Sequence, residues 1–171
     1  MVVALWPYCP PYNLSKLSIN MNPETIVKEA KESLTNFCLE ECKALCCRKG
    51  FLVLKPDQVE LVTQNRKEEL IEKKLLKELP DGNFSLNMSN HDIYCPSLCN
   101  LRCKVYKDRP QACADFPMLI RDKKVLVSSR CPAVAAGKLF PFIKQLTMLG
   151  YKYELRSALE HFDIYRCDFL D

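Results

Sequence analysis

The sequence predicts an α+β fold, with helices around a short antiparallel sheet, and three observations carry that expectation. After Pro23-Glu24, the residues Ile26, Val27, Ala30, Leu34 and Phe37 recur at helical spacing. Short apolar runs bounded by turn residues, at 51–54, 84–88, 118–120 and 125–127, read as strands. Eleven cysteines, most of them in two clusters, mark loops whose composition packing alone does not explain.

Taken in order, residues 1–22 contain Pro7, Pro10 and Pro11 with no clear period and read as an extended arm. The helix opened by Pro23 runs towards the first cysteine cluster, and Gly50 is its expected stop. Phe51–Leu54 follows as a short strand. Pro56-Asp57 starts a second helix expected to reach Leu79, with Val59, Val62, Leu70, Leu75 and Leu79 as its buried stripe. The charges from Glu68 to Lys77 form its solvated face. Pro80-Asp81-Gly82 is a turn signal, and the run from Phe84 to Met88 is expected to pair with the earlier strand. Met118–Ile120 and Val125–Val127 read as a β-hairpin. A helix from Gly137 to Leu149, interrupted early by Pro141, ends at Gly150, and a last helix is expected over Tyr153–Tyr165. The expected organisation is an arm at 1–22, a small irregular cysteine-cluster domain at 23–150, and a helical tail at 151–171.

A chain of 171 residues is long enough for one domain with a real core. An apolar fraction of 48% and a charged fraction of 27% are ordinary for a globular protein. The net charge of +4 allows an acidic partner or RNA without arguing for either. No run approaches the ~20 apolar residues of a membrane helix. The N-terminus, Met1 to Pro10, has no basic region before its short apolar run, so a secretory signal is not expected. Eleven cysteines in a chain without such a signal point to a reducing, cytoplasmic setting, where clustered thiols are metal ligands or catalytic groups more often than disulfides.

The clusters are Cys38-x₃-Cys42-x₃-Cys46-Cys47 and Cys95-x₃-Cys99-x₃-Cys103-x₉-Cys113, followed by Cys131. Thiolate is the soft ligand suited to zinc and to iron–sulfur clusters. On one straight helix Cys38 and Cys46 would be separated by about 12 Å of rise. Zinc–sulfur bonds are only ~2.3 Å, so such a helix cannot bring its three spaced cysteines to one ion. Either the helix breaks near Leu45, or the ligands serve two centres, or a larger cluster spans them. The chain lacks paired Cys-x₂-Cys knuckles. It also lacks the Cys-x₃-Cys-x₂-Cys spacing of radical S-adenosylmethionine enzymes, whose third position would fall on Leu45.

The string Cys103-Lys-Val-Tyr106-x-x-Arg109-Pro110-x-x-Cys113-x-x-Phe116-Pro117, with Cys46-Cys47-Arg48 before it and Cys131-Pro132 after it, resembles the YkgJ-like cysteine-cluster family, described as zinc- or iron-chelating with a CxxCxxCC signature. The resemblance spans about residues 35–135. It implies metal ligation by Cys38, Cys42, Cys46, Cys47, Cys95, Cys103, Cys113 and Cys131, and leaves Cys9, Cys99 and Cys167 outside the pattern. The first cluster departs from the family in having Cys-x₃ where Cys-x₂ is usual. The resemblance implies an iron–sulfur cluster of the four-iron four-sulfur type (4Fe–4S), with zinc as the alternative. Flagellin lysine N-methylases carry a related cysteine region, but no Gly-rich fingerprint for S-adenosylmethionine is present here.

Arg48, Arg109 and Arg130 stand near cluster cysteines, either as partners to thiolate charge or as surface salt bridges. Tyr106 and Phe116 read as packing residues, Asp115 as solvated, His91 as a loop histidine within reach of a zinc site, and Trp6 as an anchor for the arm. No acid–base or nucleophile constellation is evident. The expected role is a metal-binding structural or interaction module with a protein partner and no membrane. The alternative is an iron–sulfur enzyme or electron-transfer component.

Overall fold

The computed structural model describes residues 22–88 and 94–157. Helix α1 (Pro23–Ser33) begins where the Asn22 side chain accepts from the Glu24 amide at 2.9 Å, with Pro23 in the first turn. It buries Ile26, Val27 and Ala30 against the hairpin of β6 (Met118–Arg121) and β7 (Lys124–Ser128) and against α6 (Phe140–Met148). Val125, Val127, Leu139 and Leu146 complete this first core.

The second core is a separate cluster. Strands β1 (Phe51–Leu54), β2 (Leu76–Glu78) and β3 (Phe84–Asn87) form an antiparallel sheet in the order β1-β3-β2. Leu54 and Leu86 in it are wholly buried, and burial of such a side chain contributes about 1.5–3 kcal/mol. Helices α2 (Pro56–Thr63) and α3 (Lys67–Glu72) cover the sheet with Val59, Val62 and Leu70.

The two cores are built from the chain in different ways. The second uses one continuous stretch, Cys47 to Cys113. The first is assembled from residues on both sides of that stretch, Ile26 to Cys42 and Phe116 to Tyr151. The chain therefore crosses from one core to the other near Cys46-Cys47 and returns after Cys113.

Several expectations hold. Phe51–Leu54 pairs with β3 in the register Phe51↔Asn87 to Leu54↔Phe84. Gly82, at φ 77, closes the turn onto the Leu79 carbonyl. The hairpin pairs Met118↔Val127 across a turn in which Asp122 and Lys123 both have positive φ. Pro141 sits in the first turn of α6, where a missing amide costs nothing.

Others are corrected. The single helix expected from Pro56 to Leu79 is α2, α3 and β2. Gln64 and Asn65, at φ 56 and 58, break it, and Lys74, at φ 56, turns the chain into a strand edge. The helix expected from Tyr153 is instead β8 (Lys152–Arg156), which pairs parallel with β7. Lys124 bonds Glu154 at 3.1 Å and Arg156 bonds the same carboxylate at 2.6 Å, so the charge alternation serves a strand. The arm at 1–21, the residues 158–171, and with them Trp6, Cys9, His161 and Cys167, lie outside the described residues, as does His91. Among the described residues, no helix is long and apolar enough to cross a membrane.

Candidate metal centre

The first cysteine stretch does break, just before the position that spacing suggested. Beyond α1, Phe37–Glu41 forms a π-helical turn, closed by the Cys42 amide on the Phe37 carbonyl at 3.0 Å. Lys43 and Ala44 then adopt left-handed backbone, at φ 52 and 54, although neither is Gly or Asn. Such conformations cost roughly 1–2 kcal/mol per residue and mark functional loops. The Ala44 amide bonds the Cys38 carbonyl at 2.8 Å and Ala44 is buried, which holds the reversal. Leu45–Cys47 continue as a 3₁₀ turn. Cys38 and Cys42 thus stay on the first core, while Cys46 and Cys47 are carried to the crossing.

The second stretch is tied to the first by backbone. The Cys95 amide donates to the Cys47 carbonyl at 2.8 Å, and Cys95 is buried. Buried Ser97 donates its hydroxyl to the Val62 carbonyl at 2.8 Å, which fixes this loop onto α2. A two-residue turn at Asn100-Leu101, both at positive φ, joins β4 (Leu98–Cys99) to β5 (Arg102–Cys103). Cys99 is exposed on this ribbon, whereas Cys103 is half-buried. Cys113 lies on α4 (Gln111–Asp115), whose first turn rests on the Pro110 carbonyl. Lys31 reaches from α1 to the Ala114 carbonyl at 2.6 Å and holds α4 against the first core. Cys131, buried, precedes the single turn of α5 (Pro132–Ala135).

All nine described cysteines are free thiols. Burial pushes Cys38 up to about 12, and the nearby Cys42, Cys46 and Cys131 add to it. Burial likewise pushes Cys113 up to about 12, with Cys95, Cys46 and Cys103 contributing, and Cys95 to about 11, with Cys103 and Cys46 contributing. Cys131 is raised by burial, then by Cys46 and Cys42. The sulfurs of Cys46 and Cys47 are 3.9 Å apart. Their mutual hydrogen bond lowers Cys46, helped by Arg130, and raises Cys47. Thiols that make one another harder to ionise are thiols gathered in one place, and a bound cation removes that penalty.

Three arginines stand near these cysteines. Arg48 donates to the Cys42 carbonyl at 3.4 Å and lies over the Tyr94 ring, while its buried Nε has no hydrogen-bond partner. Arg130 donates to the Lys49 carbonyl at 2.9 Å. Gly50, at φ 107, leaves the space that the Arg130 guanidinium occupies, and a Cβ there would collide with it. The sequence marked Gly50 only as a helix stop; its role in seating Arg130 depends on a residue 80 positions away and has no local signal. Arg109 lies over the exposed Tyr106 ring, 4.0 Å from its centroid, and lowers Cys113 against the effect of burial.

Phe116 packs on the first core, as expected of it, and Cys99, outside the expected ligand pattern, stands exposed. Among the described residues, no three Cys, His, Asp or Glu side chains already stand as a preformed ion site. The donor set fits a soft cation. It is all sulfur, partly desolvated, and bordered by an arginine with an unpaired buried nitrogen that suits a negatively charged thiolate assembly. A shallow cleft of about 330 Å³, lined by Glu24, Lys31, Gln111, Asp115 and Arg121 among others, adjoins α4 and includes no cysteine in its wall.

A family model described as "CxxCxxCC: Putative zinc- or iron-chelating domain" matches residues 37–132, more than half of the chain. No curated protein and no solved structure matches the chain.

Proposed function

The chain belongs to the CxxCxxCC family of zinc- or iron-chelating domains, and on that premise we propose that its metal ligands are drawn from Cys38, Cys42, Cys46, Cys47, Cys95, Cys103, Cys113 and Cys131, which hold iron in iron–sulfur form of the 4Fe–4S type, four thiolates to a cluster. The observation that supports this reading is the packing of Cys38, Cys42 and Cys131 on one core and of Cys47, Cys95 and Cys113 on the other, with the chain crossing between the cores at Cys46-Cys47. Zinc is the alternative occupant, since the donor set suits it equally in softness.

The bound centre supplies cross-linking and, with iron, a site for electron transfer. The chain's own residues do the rest. The backbone reversal at Lys43-Ala44 delivers Cys46 and Cys47 to the crossing, the Cys47–Cys95 hydrogen bond sets the spacing of the two stretches, and Arg130 and Arg109 favour the charged forms of Cys46 and Cys113. Among the described residues, no general base stands out beside these thiols. We read the protein as a structural and interaction module acting with a protein partner in a reducing compartment such as the cytoplasm, rather than as an enzyme.

The test is a visible spectrum with metal and acid-labile sulfide analysis of protein purified without oxygen. Brown protein containing iron and sulfide supports the reading. Colourless protein with stoichiometric zinc moves it to the alternative, and protein with neither metal ends it.

A further inference from the structure

The motif cysteines do not form one undivided group. Cys38, Cys42 and Cys131 lie on the first core, with Cys131 buried and the other two packed at its edge. Cys95, Cys47 and Cys113 lie on the second. Cys103, at the end of the β4–β5 ribbon, joins the second set, since it pairs with Leu98, which packs on the second core.

Cys46 is the exception, because it packs on neither core and its sulfur lies 3.9 Å from that of Cys47, at the crossing. Its place is decided by number. A closed zinc site and a 4Fe–4S cluster each take four thiolates. The second set has four without Cys46, while the first has three.

We propose that the protein holds two four-thiolate metal centres side by side, one on Cys38, Cys42, Cys46 and Cys131, the other on Cys47, Cys95, Cys103 and Cys113. This rests on the metal-binding reading above and deepens it. Each core carries its own centre, and the peptide joining Cys46 to Cys47 is the bridge between them. Each thiol that ligates gives up its proton to solvent, so filling both centres releases protons from both sets. The division also answers the spacing problem of the first stretch. Cys38, Cys42 and Cys46 can share an ion because the chain reverses at Lys43-Ala44, while Cys47 packs on the second core.

The probe is cadmium-113 added to the metal-free, full-length, unsubstituted protein, so that no variant has to fold. We expect uptake of two equivalents and two cadmium resonances in the all-sulfur region. Through-bond correlation to cysteine β-protons should assign Cys38, Cys42, Cys46 and Cys131 to one and the remaining four to the other. A single resonance, or one ion bound by both Cys46 and Cys47, overturns the proposal. As a second arm, the double variant Cys38→Ser/Cys131→Ser should bind half as much cadmium and keep the resonance of the second set. Loss of both resonances from a variant that retains its β1-β3-β2 sheet signals overturns it too. The two readings fail separately. Absence of any thiolate-bound cadmium overturns metal binding itself and this proposal with it. Two correctly partitioned cadmium ions in a protein that purifies with zinc and no iron support the partition while the iron–sulfur reading falls.

Discussion

The amide of Cys95 and the carbonyl of Cys47 meet at 2.8 Å, so residues 48 positions apart in sequence are joined through backbone before any metal is considered. The bond fixes the separation of two cysteine stretches that otherwise share no secondary structure. It also places a buried cysteine of the second stretch at the point where the chain passes between cores.

Replacing one thiol of that assembly should therefore affect the metal and the fold together. Cys113→Ser is expected to lose bound metal and to lower the melting temperature by about 10 °C or more, because metal bound only by the native state adds directly to its stability. Cys99→Ser, at an exposed position of the β4–β5 ribbon, should change neither. Metal analysis and calorimetry on the two variants check this. Full metal content and an unchanged melting temperature in Cys113→Ser would remove that residue from the site.

The raised thiols predict a pH dependence for the metal-free protein. Cys38, Cys95 and Cys113 start from an ordinary value of 9.0 and are pushed chiefly by burial to about 12, 11 and 12. In the unfolded chain they ionise near 9, while the folded state still holds their protons. Their contribution is therefore intact below pH 9 and is lost as pH rises from 9 towards 12. Cys46 is shifted the other way, one group against several. Melting temperature of the metal-free form should fall as pH rises from 9 towards 12. The metal-loaded form, whose thiols have already lost their protons, should lack that fall, and its affinity for metal should rise with pH over the same range.

Gly50→Ala should destabilise the protein by about 1–3 kcal/mol, through a left-handed backbone position and a collision with Arg130. Arg130→Ala removes the second cause and leaves the first. In a double-mutant cycle, the Gly50→Ala penalty should shrink in the Arg130→Ala background, and denaturant titration of the four proteins reads the difference. An unchanged penalty would mean that Arg130 yields freely and is not seated by Gly50.

Alkylation separates exposure from ligation. Cys46 and Cys99 are both exposed, but Cys46 is made more acidic by its hydrogen bond to Cys47 and by Arg130. In the metal-free protein Cys46 should label faster than Cys99. Metal should slow Cys46 by about tenfold or more and leave Cys99 unaffected, since a ligated thiolate is no longer a free nucleophile. Mass spectrometry of labelled peptides follows both sites. Equal labelling of Cys46 with and without metal would exclude it from the ligand set.

Much of the fold was legible because it rests on local signals. The apolar stripe of α1, the short apolar run of β1, the alternation in β3, the turn at Gly82 and the β6–β7 hairpin each follow from residues within a few positions of one another. What was not legible depends on backbone reversals without the usual residues. Lys43-Ala44, Gln64-Asn65 and Lys74 take left-handed conformations, and only one of these five residues is an asparagine. A helical pattern read through them becomes the overlong helix expected from Pro56. The strand β8 was hidden for another reason: its pairing partner β7 lies more than twenty residues earlier, and its own apolar residues, Tyr153 and Leu155, stay exposed. The ligand candidates came from spacing and family resemblance, whereas their sorting by core depends on long-range contacts that no spacing encodes.

The interruption of the first core by the second sets an order in time. Residues 47–113 can find their partners within one contiguous stretch, whereas α1 must wait for β6, β7 and α6, which lie beyond that whole stretch. Contacts of short sequence separation form early and distant ones late, so the β1-β3-β2 sheet is expected to be protected first and α1 last. Pulsed hydrogen exchange would register this as early protection of Leu86 and late protection of Ala30. During synthesis the same order leaves α1 and the cysteines that follow it, among the first described residues to emerge, without their packing partners until α6 has been made. For that interval Cys38 and Cys42 are unassembled thiols whose fate depends on the redox state around them.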